Sequence, residues 1–390
     1  MASGLDVDMM GGVRPRSSGN IPVSTCGGAQ LYWEEYGPRD SGSSSAGALS
    51  PAAAPSTVGF PAGPPAYDKR LLLINGANGK IPFFGHAIQH FVRLGYTVLV
   101  HEARGVGRSS AVGPPARQSI RLLAADTQAV ANGVWGAHSR FHLLGASLGG
   151  MVAQELVYRL VRGGDKCFGA SVVPLLGVLL LVTDCGQRWW PLPWRREGRV
   201  RRLVLPQLGF REDDGGADFR ERFGRQIEAC YSAAWLDGPA PPLPGSTSRG
   251  EGGCKPAAAP GDTEAGAAAS AGPTTRRQVV TRLWCEHWRE LSAMRATPED
   301  VRAVTGQMSA QYNHYLGPRR AALIRRSGVK LGVGVSSADC FYPEHSQRQL
   351  AEALGAEVHC VAAGHAECLW LDGVALMVGA ALAVFRDSRV

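Results

Sequence analysis

Gly145-Ala146-Ser147-Leu148-Gly149 places a serine between two glycines in a G-x-S-x-G pattern. The apolar run Phe141 to Leu144 precedes it and an amphipathic stretch, Met151 to Leu160, follows. The serine therefore sits on a sharp turn from a buried strand into a helix, the context in which this pattern marks a nucleophile. Gly145 and Gly149 lack Cβ atoms, so the chain can reverse tightly and helix and strand can approach. Ser147 is then pushed out at the strand end, and the backbone N–H of Leu148 points toward whatever the serine attacks. The positive end of the helix dipole lies beneath any negative charge that develops there.

A serine hydroxyl is a poor nucleophile at neutral pH. It needs a base to take its proton, and the base needs an acid to orient it and stabilise its cation. After a strand-turn-helix serine the chain order is serine, acid, histidine. Asp339 follows the strand-like run Val329 to Val335, and His365 follows Glu357 to Val361 in a glycine-flanked loop. Asp184 is a rival acid, because it ends the strand Gly177 to Thr183. Asp339 is preferred for its closeness to the histidine and its flanks. A second oxyanion donor is expected from the loop after the first parallel strand, Asn75-Gly76-Ala77-Asn78, with the N–H of Ala77 best placed. One such donor contributes about 3 kcal/mol of transition-state stabilisation.

His359, Cys360, His365 and Cys368 have a spacing that could hold zinc. His359 and Cys360 are adjacent in a strand and so face opposite ways, which places the metal reading behind the triad. No metal and no cofactor is expected.

These groups require a scaffold. Leu71 to Ile74, Tyr96 to Val100, Phe141 to Leu144, Gly177 to Thr183 and Val329 to Val335 are apolar throughout and alternate with helical spacing, as at Phe83 to Leu94 and Arg117 to Trp135. This is the pattern of a parallel sheet covered on both faces, an α/β fold with its ligands beyond the carboxyl ends of the strands. Ile21 to Thr25 and Gln30 to Tyr36 flank Gly27-Gly28 and suggest a hairpin before it. Pro343 to Leu354 and Leu369 to Phe385 read as closing helices.

The organisation read from the chain is a disordered leader over 1–19, a first core part over 20–185 with a low-complexity insertion at 37–66, a helical cap over 186–325, and a second core part over 326–390. The cap carries a low-complexity loop at 238–275 and helical patterns at Phe219 to Trp235, at Arg276 to Met294, and from Thr297-Pro298-Glu299-Asp300. In the last, a capping hydroxyl, a first-turn proline and two acids mark the start.

The net charge of +8 is carried almost entirely by arginine, with a cluster from Arg195 to Arg202. No nucleic-acid motif accompanies the cluster, which reads as a solvated loop; contact with an acidic membrane surface is unsupported. Nine cysteines without a C-x-x-C pair suit a reducing, cytoplasmic compartment. The first residues include Asp6 and Asp8 and lack the apolar core of a secretory signal. The longest apolar run, Val172 to Val182, is too short to span a bilayer.

With these residues in place, the chain resembles the α/β-hydrolase fold superfamily over about residues 20–185 and 300–390. The Ser147 segment resembles the nucleophile elbow. Glu102-Ala103-Arg104-Gly105-Val106-Gly107-Arg108-Ser109 resembles the family's D-x-R-G-x-G-x-S motif, with Glu102 where aspartate is usual. Asn75-Gly76 stands where His-Gly is usual, and Asp339 before Pro343 and Gly364-His365 resemble the acid and histidine segments. The resemblance implies Ser147 as nucleophile, Asp339 as acid and His365 as base. Glu102 reads as structural, and Asn75 as a change in the substrate pocket. A serine at the elbow argues against the dehalogenase and epoxide-hydrolase branches, which use aspartate there. Esterases, lipases, thioesterases, peptidases, perhydrolases and acyltransferases remain. The expected activity is cleavage of a carboxylic ester or related acyl bond in a small molecule, partly apolar by the tryptophans of the cap. The alternatives are an acyltransferase on the same three residues and a non-catalytic binding protein of the same fold.

Overall fold

The structure, a computed structural model, describes residues 13–24, 28–38, 69–111, 118–163, 175–186, parts of 224–241, 275–282 and 298–385. The low-complexity stretches at 37–66 and 238–275, and the arginine cluster, lie almost wholly outside these residues.

Among the described residues, nine strands form one mixed sheet, eight of them in the order β1-β2-β4-β3-β6-β7-β8-β9. β1 (Ser17–Val23) and β2 (Ala29–Tyr36) make the expected antiparallel hairpin, and β2 pairs antiparallel with β4 (Thr97–His101). From β4 inward the pairing is parallel, through β3 (Arg70–Ile74), β6 (Phe141–Ala146), β7 (Leu175–Leu181), β8 (Leu331–Ser336) and β9 (Glu357–Ala362). The two-residue β5 (Ser110–Ala111) pairs with β2. The first strand begins inside the segment read as leader: β1 starts at Ser17, where Arg16 N donates to Glu35 O at 2.7 Å.

The central strands are apolar throughout because both faces are covered. Leu72, Ile74, Leu143, Val178, Leu180 and Val333 enter one core; their neighbours Leu71, Leu73, Leu144, Leu179 and Leu181 enter the other. This is the two-residue alternation of a strand expressed in two apolar layers. Each fully buried leucine contributes about 2 kcal/mol.

The first core is covered by α2 (Ile120–Trp135) and α3 (Leu148–Val161), and by α6 (Pro318–Arg325) and α7 (Glu344–Leu354). The second is covered by α1 (Gly85–Arg93), behind a 3-10 turn at Ile81–Phe84, and by α8 (Val374–Phe385). Ser119 caps α2 by accepting from Leu122 N at 3.2 Å. The closing helix is shorter than the pattern suggests: 3-10 turns at Glu367–Leu369 and Leu371–Gly373 precede α8.

Of the cap, the described parts are α4 (Ala233–Leu236), helical residues 276–282 and α5 (Pro298–Tyr312). A single helix over Phe219 to Trp235 is not seen among the described residues. The chain turns at Tyr231-Ser232, and Ser232 starts α4 by accepting from Trp235 N. α6 packs on the core: its Ala321 and Ile324 join the cluster that contains Leu156 of α3 and Leu350 of α7. No helix among the described residues is long and apolar enough to cross a membrane.

Candidate active site

Ser147 is the residue at which β6 becomes α3. Its backbone lies at φ 56°, ψ −122°, a conformation that side-chain-bearing residues rarely adopt. Holding it there costs on the order of 1–3 kcal/mol. Three backbone bonds impose it: Ser147 N donates to Leu181 O at 2.9 Å, and Gly150 N and Met151 N donate to Ser147 O at 3.0 and 3.3 Å. A Cβ on Gly149 would overlap the carbonyls of Ile74 and Asn75 at the end of β3, and one on Gly145 would overlap the Gly149 carbonyl. The two glycines let β3, β6 and α3 meet at one point.

The loop after β3 lies against the serine. A Cβ on Gly76 would stand 3.4 Å from Ser147 Cβ and 3.8 Å from its Oγ. Ala77 and Leu148 flank this contact, and neither backbone N–H donates to another group among the described residues. The loop is fixed from two sides. Asn78, at φ 54°, donates its N–H to Gln307 Oε1 of α5 at 2.6 Å. Glu102, fully buried after β4, accepts from Ile81 N at 3.4 Å and from Arg108 N at 2.6 Å. Glu102 thus closes its own loop and braces the neighbouring one, in keeping with its reading as a structural residue. Beside it, Arg104 forms a buried two-pronged pair with Asp126, at 2.7 and 2.6 Å.

Asp339 lies in the turn after β8, with its side chain fully buried. Its Oδ1 accepts from Phe341 N at 2.7 Å and Tyr342 N at 2.9 Å. Its Oδ2 accepts from His365 Nδ1 at 2.7 Å. With Nδ1 carrying a proton toward the carboxylate, the neutral imidazole presents its lone pair at Nε2. The His365 ring stands 4.7 Å from the Phe341 ring and 5.6 Å from the Tyr342 ring, centre to centre. The loop that bears it is fastened to the end of β8: Ala338 N donates to Ala363 O at 2.7 Å, and Ser336 Oγ lies 2.7 and 2.8 Å from the carbonyls of Ala363 and Gly364.

Ser147, Asp339 and His365 therefore all lie at the carboxyl edge of the sheet, beyond β6, β8 and β9. Asp339 and His365 are in direct contact; no hydrogen bond joins Ser147 to His365 among the described residues. Asp184, the rival acid, turns its Oδ1 to Gly186 N at 3.0 Å in the bend after β7.

The remaining candidates divide. Cys360 is exposed and Cys368 is buried, and no grouping of histidine, cysteine or acidic side chains fit to hold a metal occurs among the described residues. Burial, with the nearby Asp339 charge adding to it, pushes the Cys368 thiol up to about 12. Burial also raises Cys230 well above the ordinary thiol value. Neither is an activated thiol. Asn75, Leu123, Thr127, Leu148 and Val152 are among the residues that line one cavity. Both amide atoms of Asn75 are buried in it without a partner among the described residues.

Gln307 escaped sequence reading. Its only signal is position: a glutamine within the stripe Ala303, Gly306, Gln307, Ala310 that α5 buries.

Residues 65–178 match the family model described as serine aminopeptidase, S33. Solved structures align over nearly the whole chain. A hydrolase from Pseudomonas aeruginosa PA01 is 17% identical with a TM-score of 0.54, covering 94% of this chain and 98% of its own. A thermophilic esterase from Thermogutta terrifontis is 13% identical with a TM-score of 0.55, covering 96% and 100%. A carboxylesterase of Nitrososphaera gargenis is 14% identical with a TM-score of 0.55, covering 94% and 100%. No curated protein sequence matches the chain. The chain has the α/β-hydrolase fold.

Proposed function

We propose that the protein is a serine hydrolase that cleaves a carboxylic ester or related acyl bond through an acyl-enzyme. The observation that carries this is the 2.7 Å bond between the buried Asp339 carboxylate and His365 Nδ1, at the same sheet edge as the strained Ser147. An esterase-type hydrolase is also what the family match and the structural neighbours suggest.

In this reading Ser147 Oγ attacks the substrate carbonyl carbon, and its proton passes to His365 Nε2. The carbonyl π pair moves onto oxygen, and the resulting oxyanion accepts hydrogen bonds from the N–H groups of Ala77 and Leu148. Asp339 holds the imidazole in the Nδ1–H form and stabilises the imidazolium, remaining a carboxylate throughout. The tetrahedral intermediate collapses, the bond to the leaving oxygen breaks, and His365 returns the proton to that oxygen. Water then repeats the sequence on the acyl-enzyme and restores Ser147. None of these steps calls for a cofactor. The rings of Phe341 and Tyr342 against His365 favour a small substrate that is partly apolar. Nine cysteines without a C-x-x-C pair suit a reducing, cytoplasmic setting.

The test is labelling by a fluorophosphonate probe, wild type beside Ser147→Ala, followed by hydrolysis of p-nitrophenyl esters of graded chain length. Labelling and hydrolysis confined to wild type support the assignment. A folded wild type that neither labels nor hydrolyses any ester overturns it in favour of a binding protein of this fold.

A further inference from the structure

Glu367 lies two residues past His365 and takes no part in the steps above. It is 4% exposed. Its Oε1 accepts from Ser232 N of the cap at 2.6 Å, and its Oε2 accepts from Ala363 N of the histidine loop at 2.9 Å. One carboxylate thus ties the histidine loop to a cap residue 135 positions earlier in the chain.

Other contacts run along the same seam. Ala366 N donates to Cys230 O at 2.9 Å. A Cβ on Gly364 would stand 2.8 Å from Cys230 O and from Tyr231 Cα, so the loop carrying His365 touches the cap backbone with no side chain between. Ile227, Tyr231 and Leu236 of the cap share one apolar cluster with Ala366, Trp370 and Leu371.

A buried carboxylate is costly unless its oxygens are hydrogen-bonded. Here both are, each by a backbone N–H, and bonds to an ionised acceptor are the stronger kind. An apolar side chain could fill the same volume without the desolvation cost. What the carboxylate supplies, and an apolar group cannot, is two acceptors at a fixed separation, one for each segment.

We propose that Glu367 is a positioning residue that couples the seating of the cap at residues 230–232 to the orientation of His365. His365 holds its bond to Asp339 when the cap is seated on its loop and loses it when the cap lifts. The proposal rests on His365 being the base in the reading above.

Two variants cut the link from opposite ends. Glu367→Gln keeps the volume but replaces one acceptor oxygen with an NH2 group. Ser232→Pro removes the cap-side N–H, and the φ of −72° at this position suits proline. Ser232→Ala is the control, since it removes the hydroxyl and keeps the N–H. The readouts are the low-field proton NMR resonance of His365 Nδ1–H, assigned by its loss in His365→Gln, together with kcat and KM for p-nitrophenyl butyrate and thermal unfolding. Glu367→Gln and Ser232→Pro are expected to broaden or abolish the resonance. They are also expected to lower kcat by about tenfold to a hundredfold, with KM changed by less than about threefold. Ser232→Ala should keep the resonance. Folded Glu367→Gln and Ser232→Pro proteins with the wild-type resonance overturn the proposal, even where their melting temperatures fall, because a purely structural residue would do that. Fluorophosphonate labelling and ester hydrolysis by wild type are read separately: the absence of both sinks the hydrolase reading, while the resonance still reports on the coupling.

Discussion

Gln307 of the cap helix accepts a hydrogen bond from the backbone N–H of Asn78 at 2.6 Å, across 229 residues of chain. This one contact makes a cap side chain the support of the turn that presents the Ala77 N–H. A short hydrogen bond to a fully buried side chain such as Gln307 is expensive to leave half made. Gln307→Leu should therefore lower kcat by about tenfold or more through a displaced oxyanion donor, with a smaller effect on KM. Steady-state kinetics on p-nitrophenyl esters check this; an unchanged kcat would show that the turn holds its shape unaided.

The strain at Ser147 makes a second expectation. Ser147→Gly and Ser147→Ala should both abolish fluorophosphonate labelling, but they should differ in stability. Glycine tolerates φ 56°, ψ −122°, whereas alanine inherits the strain. Ser147→Gly should be more stable than Ser147→Ala by about 1 kcal/mol in urea unfolding. Equal midpoints would mean that the turn carries little strain.

The two acids can be told apart. In Asp339→Asn one amide atom must be the NH2, so the side chain cannot serve both the backbone donors and His365 Nδ1–H as the carboxylate does. The imidazole is then held in the wrong tautomer, and kcat should fall by about 10⁴. Asp184→Asn retains an acceptor for Gly186 N and should leave kcat within a few-fold of wild type. The reverse ranking would reassign the acid.

Acid should loosen this fold through its buried histidines. Burial, with a smaller contribution from His90, lowers His86 to about 4; burial, with Arg320 nearby, lowers His314 to about 4. Both are neutral when folded, and His314 Nε2 lies 3.1 Å from Gln154 Oε1. In the unfolded chain they titrate near 6.5, so below that pH the unfolded state binds more protons. The stability they contribute is complete above pH 6.5 and is lost as pH falls from 6.5 toward 4. A tenfold difference in proton affinity between the folded and unfolded chain is worth about 1.4 kcal/mol, so each residue accounts for roughly 3 kcal/mol. Urea unfolding of wild type and His86→Leu at pH 7.5, 6 and 5 should show a shallower decline in the variant; parallel declines would remove His86 from this account.

The strand cores and the order of Ser147, Asp339 and His365 were legible because local patterns write them. Leu71–Ile74 and Leu175–Leu181 are apolar on both faces since both faces are covered, and the residues at their ends announce the edge. What was not legible is what side chains do across long separations. Arg104 pairing with Asp126, Gln307 reaching Asn78, and Glu367 reaching Ser232 each join elements whose meeting depends on the finished fold. The cap helices were blurred for a related reason. A serine within an apolar stretch, Ser232, ends one turn of chain and begins another, and periodicity alone reads straight through it. α6 shows the same limit: its sequence is helical either way, and its packing against α3 and α7 appears only in the finished fold.

The glycines beside Ser147 are held in place by the carbonyls of Ile74, Asn75 and Gly149, not by any reacting group. A descendant of this chain that lost its serine would still have to keep both of them, because a methyl at Gly149 would drive β3 away from α3 and one at Gly145 would drive β6 away from it. Their presence in a relative is therefore a record of architecture. In the proposed reading, whether that relative still does chemistry is written in the residue between them, and in the acid and imidazole beyond β8 and β9.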